Sequence, residues 1–427
     1  MASAATDPPQ VLPLAQGWRY GLLGLPLAFV ALPLYVVLPN HYAREFGVPL
    51  AALGGVLLAA RLLDACIDPV IGRACDRLFA RSADAVLRAG ATAAVLLAAG
   101  FGLLFFPAVQ GTAALLTWVA GVLVLTYAAY SLLSVAHQSW GAMLGGTEAY
   151  RSRVVAWREG LGLAGVVLAS MLPALAGMGA TLAVFCVALV AGWLAWRRAP
   201  RPTAGGPQDT PDLWHPWRQS AFRRLLGVFV LNGIASAVPA TLVLFFVQDR
   251  LQAGPAIESA SLAVYFLCAA VSIPAWLQLV ARIGLARSWL LGIVMAVCAF
   301  VGAALLGAGD TAAFLVVCAL SGLALGSDLA LPGALLAGVI AQAGDRGRAE
   351  GAYFGWWNFA AKLNLALAAG LALPLLGWFG YAPGARDAAA LQALTIAYCL
   401  LPCGLKLLAG AALHLLLVRP ARAFATP

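Results

Sequence analysis

Charge is what this sequence has least of. Asp, Glu, Lys and Arg make up 10% of the 427 residues, against 63% hydrophobic residues, where soluble domains average roughly 25% charged and 45–50% apolar. Only two lysines occur, Lys362 and Lys406, and four histidines. This scarcity excludes a water-soluble globule. The net charge of +9 would suggest nucleic acid in a soluble chain, but here the basic residues track the loops, so no nucleic-acid partner is expected. A Ser-His-acid set or a His-rich cluster at usable spacing is also missing, so no catalytic residue, no cofactor and no enzyme are expected. The eight cysteines fall in or beside apolar runs and do not look like a secreted disulfide framework. Cys399 and Cys403 share a helix face with no acidic or histidine neighbour, and read as small apolar filler, not metal ligands. No basic segment precedes the first apolar run, from Trp18 to about Pro39, which is too long for a signal-peptide core and reads as an uncleaved helix.

What the chain has is long apolar runs. A bilayer-spanning helix needs about 20 apolar residues, and runs bounded by charge or by Gly and Pro predict twelve spans. They lie near 18–39, 49–71, 86–107, 112–143, 154–175, 178–196, 223–248, 259–281, 288–307, 311–341, 351–378 and 391–417. Alternate loops hold most of the arginines, among them Arg73, Arg77, Arg81 and Arg88, then Arg151 and Arg153, then Arg197 to Arg224. The opposite loops hold only Arg44, Arg250 and Arg386. The positive-inside rule places the first set and both termini in the cytoplasm, as in a multi-pass protein of a bacterial-type inner membrane. One long polar, Pro- and Gly-rich stretch divides the spans six and six. The expected organisation is a cytoplasmic tail 1–17, a six-helix bundle 18–196, a linker 197–222, a second bundle 223–418 and a tail 419–427. The segment Asp68-Pro-Val-Ile-Gly72-Arg-Ala-Cys-Asp76-Arg77 at the end of the second span has a weak echo, Arg282-Ile-Gly284-Leu-Ala-Arg287, after the eighth. Two parallel halves predict an all-α polytopic membrane protein of the major facilitator fold, with a site at midplane between them.

Ionisable residues inside spans are costly and mark functional positions. The second span carries Arg61, Asp64 and Asp68, the tenth Asp328, the eleventh Lys362 and the twelfth Lys406; Arg158 and Glu159 open the fifth. Arg61, Asp64 and Asp68 follow i, i+3, i+7 spacing and share one face. Two carboxylates one turn apart in a low dielectric should take up a proton or hold a metal cation or a basic side chain. Both a hard cation such as sodium, which takes oxygen ligands, and a proton satisfy this pattern. At about 1.5 Å per residue, Asp68 falls roughly 28 Å from Pro49, so it lies either in a cavity or at the cytoplasmic interface.

The run Arg61-Leu-Leu-Asp64-Ala-Cys-Ile-Asp68-Pro69-Val-Ile-Gly72 with Asp76-Arg77 resembles the second-helix signature of the glycoside-pentoside-hexuronide:cation symporters. The run Gly351-Ala-Tyr353-Phe-Gly-Trp-Trp357-Asn358-Phe-Ala-Ala-Lys362 resembles that family's eleventh helix, and Arg151-Ser-Arg153 with Arg158 its loop between helices four and five. The resemblance implies a cation site at Asp64 and Asp68, binding sodium, lithium or a proton, with Lys362 as a charge-balancing neighbour. It departs at the sugar site. The first span has no acid before Glu45, and Ala136 stands where the fourth would carry one, so the specificity of the galactoside-binding members does not transfer.

In their place stand Tyr127, Tyr130, His137, Gln138 and Trp140, a polar-aromatic set that suits a sugar or another small polar organic solute. Asp328, Trp357 and Asn358 complete the expected substrate cavity. His137 either titrates or serves as a fixed donor to a neighbouring helix. Arg158 and Glu159, adjacent in sequence, should not share a face. Arg61, Arg158, Asp76 and Arg77 are expected to balance charge or govern gating. The expectation is a monomeric secondary transporter in membrane lipid, coupling sodium or a proton to a small-molecule substrate by alternating access. A lipid or lysolipid carrier of the same fold is the alternative.

Overall fold

The computed structural model describes residues 12–202, 211–382 and 384–419. Most of the two predicted tails and the middle of the predicted linker lie outside them. The secondary structure of the described chain is helical: α1 (Leu14–Tyr35), α2 (Leu50–Arg81), α3 (Ala83–Phe105), α4 (Thr112–Met143), α5 (Glu148–Pro173), α6 (Leu175–Arg197), α7 (Ser220–Arg250), α8 (Ala256–Ile283), α9 (Leu285–Ala303), α10 (Thr311–Gln342), α11 (Glu350–Trp378) and α12 (Ala388–Val418). Among the described residues ten of these are long and apolar enough to cross a membrane. The other two, α2 and α11, have 32 and 29 residues, well above the length a span requires, but each carries several polar side chains in its middle.

Local chemistry sets the ends. Ser82 accepts a hydrogen bond from the Ala85 N–H at 3.0 Å, Thr147 from Tyr150 at 3.2 Å and Asp387 from Ala390 at 2.9 Å, capping α3, α5 and α12. Near the start of α6 the chain kinks at Gly177, whose φ of 78° suits a residue without a Cβ. One boundary differs from the sequence reading, which ended the second span near 71. α2 continues past Ile71 to Arg81, because helical hydrogen bonding does not end where the apolar run does. Asp76 and Arg77 therefore ride on the helix, and Asp68 lies well inside it.

The chain forms two compact units, Met1–Arg218 with Ala337–Phe359 and Gln219–Leu336 with Ala360–Pro427. In the first, α4 packs against α2 and α3, and α1 against α5. In the second, α10 packs against α8 and α9, and α12 against α7 and α9. The pairing of a fourth helix with a second and third recurs as that of a tenth with an eighth and ninth, as parallel repeats require. Small residues bring backbones together: a Cβ on Gly165 would fall 2.1 Å from the Leu25 carbonyl, and one on Gly322 2.3 Å from that of Tyr265. Large apolar side chains such as Val95, Leu175 and Val271 are 70%, 74% and 67% exposed, an outer surface suited to lipid and not to water.

Candidate functional site

Asp64 and Asp68 are buried, at 5% and 0% exposure, and their i, i+4 spacing on α2 puts both on one face. The Ser131 hydroxyl of α4 donates to Asp64 Oδ1 at 3.0 Å. Arg61, one turn earlier, stacks its guanidinium 4.0 Å over the Tyr35 ring of α1, a cation–π contact that holds the charge in an apolar setting. Tyr127 stands 6.1 Å from Tyr35, ring to ring, and beside Arg61. Tyr130 lies near enough to Asp64, Asp68 and Arg158 to feel their charges. The first unit thus gathers Arg61, Asp64, Asp68, Tyr127, Tyr130 and Arg158. Arg158 and Glu159 are ion-paired, contrary to the expectation from adjacency. The guanidinium reaches round the helix because an arginine side chain spans more than the offset between consecutive positions.

A second set of contacts lies at the arginine-rich end of the same unit. Asp76 accepts from the Gly351 and Ala352 N–H groups at 2.6 and 2.8 Å, setting a carboxylate on the positive N-terminus of α11. The backbones beside it nearly touch: a Cβ on Gly72 would fall 2.1 Å from the Gly351 carbonyl, and one on Gly355 2.6 Å from that of Asp68. Arg346 donates to the Met143 carbonyl at 3.1 Å. Asp345 accepts from His215 at 2.9 Å and from the Tyr353 hydroxyl at 2.7 Å. Glu350, just ahead of the predicted eleventh span, is wholly buried; burial pushes its carboxyl up to about 7, against the backbone N–H bonds around it. Arg77 is exposed on the same helix.

The second unit holds a separate buried cluster. Asp328 Oδ1 accepts from Asn232 Nδ2 at 2.9 Å and Trp289 Nε1 at 2.8 Å, and Oδ2 from Lys406 Nζ at 3.2 Å and Ser236 Oγ at 3.5 Å. Lys406 also donates to Asn232 Oδ1 at 2.8 Å. Asp328 and Lys406 both line a cavity of 220 Å³.

His137, Trp140 and Gln138 are engaged elsewhere in the first unit. His137 is fully buried and donates through Nε2 to the Tyr20 carbonyl at 2.8 Å, while the Tyr20 hydroxyl donates to the His137 carbonyl at 3.0 Å. Of its two expected roles the geometry shows the fixed donor between helices. Trp140, also fully buried, packs on Trp196 and donates to the Pro200 carbonyl at 2.8 Å, so its indole has no face toward a cavity. Gln138 donates to Ser134 on its own helix at 2.9 Å. Trp357 is buried and Asn358 half-buried on the first part of α11, within the first unit; Lys362 is half-buried on the part that belongs to the second. Sequence reasoning missed Ser131, Asn232, Ser236 and Trp289, and their only signal is a polar atom inside an apolar run. Among the described residues no group of three or more His, Cys, Asp or Glu comes together to hold a metal ion.

An all-helical chain of apolar spans in two units of like pairing, with charge clusters buried in each, defines a multi-pass membrane carrier of the major facilitator fold. Residues 19–418 match the MFS/sugar transport protein family, and the chain belongs to that family. It is a secondary transporter of the major facilitator superfamily. Its fold is shared with several solved structures. A bacterial homologue of the iron transporter ferroportin in an outward-facing state superposes with a TM-score of 0.71 at 15% identity, over 94% of this chain and 98% of that one. The human organic anion transporter MFSD10 gives 0.69 at 16% identity, over 94% and 100%. The E. coli fucose:proton symporter gives 0.63 at 15% identity, over 91% and 98%. No curated protein matches the chain by sequence.

Proposed function

We propose that the chain is a cation-coupled symporter of the glycoside-pentoside-hexuronide:cation type, carrying a small polar organic solute, a sugar or glycoside, with sodium or a proton. The observation that carries this reading is the pair Asp64 and Asp68, buried one turn apart on α2. Two such carboxylates repel unless a cation lies between them or one is protonated, so ion loading and the order of the site are coupled. The Ser131 hydroxyl supplies a further oxygen beside Asp64. Arg61, Arg158 and Lys362 balance charge around the loaded and empty states. Tyr127 and Tyr130, close to the pair, offer ring faces and hydroxyls to the solute, with Trp357 and Asn358 as further candidates. The family description and the likeness to a fucose:proton symporter support a sugar.

Alternating access requires a cytoplasmic closure that opens. The contacts of Asp76 with the start of α11, beside Gly72, Gly351 and Gly355, suit that role, with Arg77 exposed on the same helix. The arginine distribution supports cytoplasmic termini in an inner membrane. The carrier works as a monomer in lipid. The test is thermal stability of the reconstituted full-length protein across sodium, lithium and pH steps with a sugar and glycoside panel, wild type against Asp64→Asn. Cation-dependent stabilisation that vanishes in Asp64→Asn is expected. Indifference to every ion and to pH, with stabilisation by lysolipid, would replace this reading with a lipid carrier.

A further inference from the structure

The cluster around Asp328 lies within the second unit and is independent of the Asp64–Asp68 reading. Its carboxylate is saturated by four donors, from Asn232, Trp289, Ser236 and Lys406. The Lys406 ammonium is not: it carries three protons, and its two hydrogen bonds among the described residues, to Asn232 and Asp328, use two of them. Lys406 is 2% exposed and lines the 220 Å³ cavity. The rest of that wall is mainly apolar and aromatic, with Leu262, Phe266 and Phe300, and carries the hydroxyls of Ser236, Ser261 and Ser321. A dry cavity of about 150 Å³ accepts benzene, so this one has room for a ring and a small polar group beyond it.

Charge balance decides which polar group. Asp328 and Lys406 sum to zero, and an unpaired charge in such a site is costly. An anion entering alone would leave a net negative charge, but one entering with a proton leaves none. Among the described residues facing Asp328, Lys406 is the one charged group; Tyr265, Tyr398 and Cys318 on the cavity wall are titratable but neutral near pH 7. The acceptor for the proton is Asp328 Oδ2, since Oδ1 already accepts two N–H bonds. The new O–H then donates to Ser236 Oγ, 3.5 Å away, and Asn232 Oδ1 keeps its bond to Lys406.

We propose that this cavity binds a small monocarboxylate with an apolar, ring-sized body, the carboxylate replacing Asp328 as the ion-pair partner of Lys406 while Asp328 takes up one proton.

The test is calorimetric titration of the purified full-length protein with benzoate, between about pH 5.5 and about 7.5, where benzoate stays ionised. Repeating it in two buffers of different ionisation enthalpy counts protons. The expected result is uptake of about one proton per benzoate and an affinity weakening up to about tenfold per unit of rising pH. Asp328→Asn, which keeps the shape and is already neutral, should bind benzoate without proton uptake and without the pH slope. Lys406→Met should lose binding. Absence of benzoate binding by wild type, binding without proton uptake, or an unchanged pH slope in a folded Asp328→Asn would overturn the proposal. Should Lys406→Met melt far below wild type, the proton count in wild type and the slope in Asp328→Asn decide it.

Discussion

A carboxylate taken out of water finds donors or takes a proton. Asp328 does the first. Glu350 is closer to the second: it is 0% exposed, Oε1 accepts from the Gly347 N–H at 2.7 Å, and Oε2 has no partner among the described residues. Burial holds its carboxyl up to about 7, above the ordinary 4.5. The folded state therefore binds this proton more tightly than the unfolded one, so its contribution favours folding below 4.5 and is lost as pH rises through about 7. Glu350→Gln should remove that dependence, worth about 3 kcal/mol across the window. Melting curves of both proteins from about pH 5 to about pH 8 check it; parallel pH profiles would show that Glu350 ionises without cost.

Between elements, the contact of α2 with the start of α11 depends on absent side chains. Gly72→Val places a branched side chain where even a Cβ meets the Gly351 carbonyl at 2.1 Å. Amides near Gly351 and Ala352 should then exchange with solvent at least about tenfold faster, a loss of about 1.4 kcal/mol in local stability, read by hydrogen-exchange mass spectrometry. This contact also marks how far the sequence could be read. The pair Asp64 and Asp68 was legible because both residues sit on one helix, where spacing alone fixes a shared face. The apolar runs and arginine loops were legible for the same local reason. Ser131, Asn232 and Trp289 were not, because each meets its carboxylate from a different helix. His137 and Trp140 read as cavity residues because a polar aromatic inside a span needs a partner, and sequence cannot say that the partner is the backbone carbonyl of Tyr20 or Pro200. The end of α2 was misplaced because the apolar run stops at Ile71, while the helix continues through the charged residues Arg73, Asp76 and Arg77.

At the scale of the whole molecule, chain order and compact units do not coincide, since Ala337–Phe359 belongs with Met1–Arg218. Co-expressed fragments 1–206 and 207–427 should therefore co-purify, because the second carries the segment that completes the first unit. Gly72→Val with Asp76→Ala should reduce recovery of the pair at least severalfold on affinity capture of one fragment. Undiminished recovery would show that other surfaces hold the fragments together. Within that segment, the contact of α2 with the start of α11 is made by backbone: glycines in close approach and a buried carboxylate on the N–H groups that open α11. Mobile ions cannot enter such a contact, in contrast to the exposed pair of Arg201 with Asp84 at 2.8 Å, which salt screens over a Debye length of about 10 Å at 0.1 M. That contact should hold with equal strength in dilute and in concentrated salt.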